Sequence, residues 1–185
     1  MTKNQQQIQL ARRPQGVPVH DDFRFETIAV PEPKDGEVLV KTSYVSVDPY
    51  MRGRMQDTKS YVEPFALDEA ITGGVIAEVL TDGNKLRKGD VVIGNLAWQE
   101  YSAVNESALR KLDTDIAPAQ AYLGILGMTG LTAYFGLLDI GRPKKGETVV
   151  VSGAAAPSAQ QSDRLLKSKA RVLSVLPDLT KKSRI

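Results

Sequence analysis

Along "EVLVKTSYVSVDP", residues 37–49, valines recur at every second position from Val38 to Val40 and again from Val45 to Val47. A period of two is that of a strand with one buried face. The strand is expected to stop at Asp48-Pro49, because proline has no amide to give to a ladder. "ITGGVIAEVL" reads as a second strand, entered through Gly73-Gly74. "KGDVVIGNL" is a third, opened by Gly89-Asp90, and "AWQEYSAV" alternates again. Short strands separated by turn signals predict a small β-barrel or sandwich.

The period changes at "APAQAYLGILGMTGLTAYFGLLDIG". Leu123, Leu126, Leu131, Tyr134, Phe135 and Leu138 recur at helical spacing, which predicts two helices broken near residues 127–130. Gly141 followed by Pro143 is a helix stop. "KKGETVVVSGAA" then reads as a buried strand running into a glycine turn. The predicted fold class is mainly β with α: a β-barrel, then helices, then only the first strand of an α/β unit. No second parallel strand of the right kind is expected after it. The chain shows neither an internal repeat nor a low-complexity segment.

A length of 185 residues holds one large domain, or one and a piece. Hydrophobic content of 42% and charged content of 25% are ordinary for a globular chain. No apolar run approaches the ~18 residues of a membrane span. The start, "MTKNQQQIQLARRPQG", has no apolar signal region. The expected location is therefore cytoplasmic. There is no cysteine, which excludes disulfides and the usual zinc thiolates. His20 is the single histidine and reads as solvated, so no metal is expected. The net charge of +2 hides an asymmetry: residues 157–185 carry seven Lys and Arg against two Asp, or +5, leaving −3 for the rest. A basic tail suggests nucleic acid or an anionic membrane. It lacks interleaved aromatics, however, and neither partner is expected.

"GEVLVKTSYVSVDP", "KGDVVIGNLAWQEY" and "GMTGLTAYFGLLDIG" together resemble the medium-chain dehydrogenase/reductase superfamily. "SVDPYMR" paired with "MTGLTAYFGL" resembles its zinc-independent, NADPH-dependent branch of enone and alkenal reductases, over roughly residues 8–156. The resemblance implies a GroES-like domain over 1–125, then linking helices, a first strand and a glycine turn of an incomplete Rossmann domain over 126–156. It implies NADP as cofactor, a small enone or alkenal as substrate, and allows a homodimer for a full-length relative.

A Rossmann turn brings backbone amides up to a pyrophosphate at a helix N-terminus. Here Gly153, Ala154 and Ala155 stand in that turn, followed by Ala156 and Pro157 instead of further glycines. The tail, 157–185, is expected to be a frame-shifted, non-native reading. Codons can be chosen for residues 156–183 so that the last base of each joins the first two of the next. The shifted frame then reads AVGTTVGQIAKIKGARVVGIAGSDEKI, a glycine turn, a helix and a second strand. Its strand ends in small uncharged residues, which favours the 2′-phosphate of NADP over NAD. As written, the chain is expected to bind NADPH poorly and to be inactive by itself.

Enone reduction builds charge on a carbonyl oxygen, and without a metal a hydrogen-bond donor must stabilise it. Tyr50, just past a strand end, is the candidate catalytic donor; packing beside Pro49 is the other reading. Arg52 contacts a phosphate or an acidic substrate, or is an exposed barrel-edge arginine. Trp98 is core or substrate-pocket wall, and Tyr101 reads mainly as barrel core. By resemblance Met128 and Thr132 lie where the family holds the nicotinamide, and helix packing is the alternative for both. Two functions stay open: an NADPH-dependent enone reductase, and a non-catalytic β-barrel binding module with a basic tail.

Overall fold

In the computed structural model, residues 3–60, 62–144, 147–151, 162 and 172–175 are described. The chain divides into two compact units, Met1–Gln120 and Ala121–Ile185.

The first unit is built on a five-stranded antiparallel sheet. Its strands are β3 (Glu37–Val45), β4 (Thr72–Val79), β5 (Val91–Ala97), β6 (Tyr101–Asn105) and the short β7 (Arg110–Lys111). They lie in the order β6-β3-β4-β5-β7. Val38 and Val40 of β3 point inward and meet Val75, Ala77 and Val79 of β4 with Val92 and Leu96 of β5. The alternation read between residues 37 and 41 is therefore a real buried face. It breaks at Ser43, where the register slips between Thr42 and Tyr44. Such a bulge sends the following residues to the other face, and Tyr44 and Val45 emerge partly exposed. The strand ends at Val45, three residues before Asp48.

A two-stranded ribbon, β1 (Asn4–Leu10) with β2 (Phe23–Ala29), closes the sheet into a barrel. Three backbone bonds form the seam in a ring. The Ile8 amide donates to the Trp98 carbonyl (2.9 Å), Trp98 to Ile71 (2.8 Å), and Ile71 back to Ile8 (3.0 Å). Glutamines complete it. Gln5 is buried, and its Oε1 accepts from the Tyr101 amide at 2.7 Å, while the Gln7 amide nitrogen donates to Gln99 Oε1. Tyr101, read as barrel core, is instead half-buried on the edge strand β6, with its hydroxyl accepting from Lys3 at 3.2 Å. The Lys3 ammonium stands 4.7 Å from the centre of the Tyr101 ring, and the Tyr101 amide bonds Gln5 of the ribbon strand β1.

In the second unit a 3-10 turn (Ala119–Leu123) begins just before the boundary and leads to α2 (Met128–Tyr134). A π-helical turn (Phe135–Gly141) follows, and the chain leaves it through Arg142 in the left-handed region. The break near 127 and the stop at Gly141 agree with the glycine and proline signals. β8 (Thr148–Val151) then pairs in parallel with β9 (Val172–Val175). This corrects the expectation that no parallel partner follows. Pairing asks only for extended backbone with free amides and carbonyls, so a segment without an obvious apolar face can still complete a ladder. The expected frame-shifted tail, 157–185, lies outside the described residues apart from Ser162 and β9. Among the described residues no helix is long and apolar enough to cross a membrane.

Candidate active site

After Val45 the chain bends through Asp48-Pro49 into α1 (Tyr50–Arg54), a helix of five residues. Pro49 sits at its start with helical φ, where a missing amide costs nothing. Tyr50 is the first helical residue. It packs against a cluster of Leu10, Met51, Met55, Phe65 and Ile71, the second core of the barrel. So short a helix is marginal on its own, and the surroundings hold it. Arg52 donates through Nη2 and Nε to the Gly16 carbonyl (2.7 and 3.2 Å) and through Nη2 to Pro14 (3.4 Å). Gln56 also donates to Pro14, at 2.9 Å. Arg13 donates to Phe65 (2.7 Å) and Met55 (3.3 Å), and Arg54 to Glu63 (2.9 Å) while lying 4.0 Å from the Phe65 ring centre.

Asp22 anchors the loop that supplies those carbonyls. Its carboxylate accepts from Arg12 Nε (2.6 Å) and from the Val19 amide (2.9 Å). The Arg12 bond, then the Val19 bond, hold its pKa below the usual value.

Trp98 touches both cores of the barrel. Its indole Nε1 is buried with no hydrogen-bond partner. Gly73 makes room for it, since a Cβ there would stand 3.2 Å from Nε1 and 3.4 Å from Met51 Cε. Trp98 is a core residue and also lines a mostly apolar pocket of about 280 Å³ with Ile8, Phe25, Thr42, Val45 and Gln99. Tyr50 does not line that pocket. Ile8 and Phe25 went unread in the sequence, although "NQQQIQL" and "FRFETIA" carry a faint period of two.

Tyr50, Met51 and Trp98 thus meet at one core, and Arg52 turns to the backbone of residues 14–16. The residues placed by resemblance at a cofactor behave differently. Met128 is 55% exposed, and the Thr132 hydroxyl donates to the Met128 carbonyl at 2.7 Å. Gly153, Ala154 and Ala155 lie outside the described residues. Of that set only Met128 and Thr132 lie among the described residues, and these two alone form no cradle for NADPH. Among the described residues there is also no group of three or more His, Cys, Asp or Glu placed to hold a metal.

Residues 6–112 match the family model described as the N-terminal domain of oxidoreductase. The Bacillus subtilis protein YfmJ, provisionally named an NADP-dependent oxidoreductase, is 78% identical over 95% of this chain and 52% of its own length. The NADPH-dependent curcumin reductase of Escherichia coli is 43% identical over 90% of this chain and 49% of its own. Among solved structures, CurA from Vibrio vulnificus superposes with a TM-score of 0.81 at 37% identity, over 95% of this chain and 51% of that one. The same protein is known in complex with NADPH, also at a TM-score of 0.81. The chain spans about half the length of the curated relatives it matches. NADP is the cofactor of these relatives, and the chain belongs to the medium-chain dehydrogenase/reductase superfamily, in the branch that holds the NADPH-dependent curcumin reductases.

Proposed function

We infer that this chain is the substrate-binding half of an NADPH-dependent reductase acting on the carbon–carbon double bond of α,β-unsaturated carbonyls, small enones or alkenals. The likeness to curcumin reductase over nine-tenths of the chain carries the reading. The geometry supports it through Tyr50, which a short helix holds at the end of β3 against a firm apolar core. In such a reaction negative charge grows on the carbonyl oxygen, and a phenol hydroxyl positioned before the reaction stabilises it without reorganising. Pro157 leaves one amide fewer where a phosphate needs amides, so on this reading the chain alone holds NADPH weakly.

The single tryptophan gives the test. Titrating a small enone should change Trp98 emission saturably, and Tyr50→Phe should weaken that response. Where NADPH is consumed, Tyr50→Phe should lower kcat more than it changes KM, by about 2–4 kcal/mol of transition-state stabilisation. NADPH alone should not bind at low micromolar concentration. An emission signal unmoved by enones, with no NADPH consumed, would favour the non-catalytic binding module instead.

A further inference from the structure

We propose that Arg52 is a positioning residue for Tyr50, acting through the 14–16 loop rather than on substrate. The inference rests on the reductase reading for its consequence, though not for its geometry. Three observations carry it.

First, Arg52 lies two residues after Tyr50 in a helix only five residues long. That helix has too few bonds of its own to set a phenol's position. Second, the Arg52 fork is committed to the backbone, with two donors on the Gly16 carbonyl and a further bond to Pro14. A guanidinium is planar and fixes the direction of its donors, so two carbonyls held by one fork define an orientation as well as a distance. Third, the receiving loop is itself rigid. Pro14 is fully buried and takes a second bond from Gln56, and Asp22 holds the far side through Arg12 and the Val19 amide. Gly16 adopts a φ of +87°, which turns its carbonyl toward Arg52. The backbone of the 14–16 loop thus sets α1, and α1 sets Tyr50. Substituents on the loop should reach the reaction centre without touching substrate.

Two changes test this from opposite ends. Arg52→Ala removes the fork. Gly16→Ala leaves it but strains the carbonyl it holds; an added Cβ meets nothing within 4 Å, so any effect comes from the backbone alone. Ring-labelled tyrosine NMR, with the Tyr50 signal assigned by its loss in Tyr50→Phe, reads the position directly in the chain as it stands. Both variants should shift and broaden that one signal while the protected amides of β3 and β4 stay protected. Arg52→Lys should restore it only in part, because an ammonium cannot make the fork. Where enone is turned over, both variants should lower kcat about ten- to a hundredfold, as misplacement of a catalytic group does, with KM within about twofold. A Tyr50 signal unmoved in Arg52→Ala and Gly16→Ala overturns the proposal. So does a rise in KM alone in Arg52→Ala, which would return Arg52 to the substrate. Should Arg52→Ala not fold, Gly16→Ala and Arg52→Lys decide by the same signal. If no enone is turned over, the reductase reading fails while the Tyr50 signal still decides the positioning role.

Discussion

In the unit ending at Gln120, Leu10, Val38, Val40, Ile71 and Ile76 are fully buried. In the unit beginning at Ala121, Leu131, Tyr134 and Phe135 are 54, 49 and 52% exposed, and Ile140 is 80% exposed. Both stretches are rich in apolar residues, so composition does not separate them. Architecture does. Antiparallel strands that curl on one another bury one face of each strand and bond nearly every backbone group at home. Among the described residues of the second unit, the short helix and the turn beyond it leave much of their apolar stripe uncovered. Tyr122, Ala133 and Leu137 are buried there, and their helical neighbours face outward. Apolar periodicity states which side of an element wants cover; it does not supply the cover.

The contrast can be broken most directly in the barrel. Leu10 closes the ribbon over the core that carries Tyr50, and Leu10→Ala should cost about 2–5 kcal/mol, the loss typical of a buried leucine. Denaturant unfolding followed by Trp98 emission measures it, and a cost near zero would mean that the seam contributes nothing to the core. Hydrogen exchange sharpens the same point, with slow amides expected at residues 38–42 and 91–93.

Acid should separate the units next. Asp90 is held low first by Lys111 Nζ at 2.6 Å and then by the Arg87 amide. Glu106 is held low above all by the Leu86 amide, with Lys85 and Asn84 adding to it. Asp22 belongs with them, and all three lie in the barrel unit. A carboxylate whose folded pKa is depressed stabilises the fold above its ordinary value and loses that contribution as pH falls toward the lowered one. The barrel's unfolding midpoint should therefore decline below about pH 4.5, the ordinary value for Glu106, and further below 3.8, that of the two aspartates. Glu106→Gln and Asp90→Asn should flatten that decline. An unchanged acid slope in both variants would show that their backbone clamps form equally well when neutral.

The smallest effect belongs to the helical unit. Ile140→Gln should change stability by less than about 0.5 kcal/mol, as for any exposed position, and should raise solubility, which a sedimentation assay reads. A loss comparable to that of Leu10→Ala would mean that Ile140 is covered in solution.

The strands β3, β4 and β5 announce themselves because β-branched residues cluster between glycine and proline turn signals. Val38 and Val40 turn inward on either side of Leu39, and Gly89-Asp90 marks the turn, with Gly89 at a φ of +90°. Tyr50 and Trp98 were legible as candidates because proline and glycine punctuate the chain beside them. The rest depended on partners far away in sequence. β1 hides because its stripe is glutamine: Gln5 Oε1 accepts from the Tyr101 amide and Gln7 donates to Gln99, more than 90 residues on, and only the closed barrel brings these together. The bulge at Ser43 arises from register against β4, which no single strand encodes. Arg52 reads equally well as a substrate contact or a surface charge until Gly16 and Pro14, which lie 36 and 38 residues before it, present their carbonyls. Local sequence determined where backbone could extend, bend or coil. Tertiary structure decided which polar groups would meet, because a hydrogen bond is set by distance in space and not by distance along the chain.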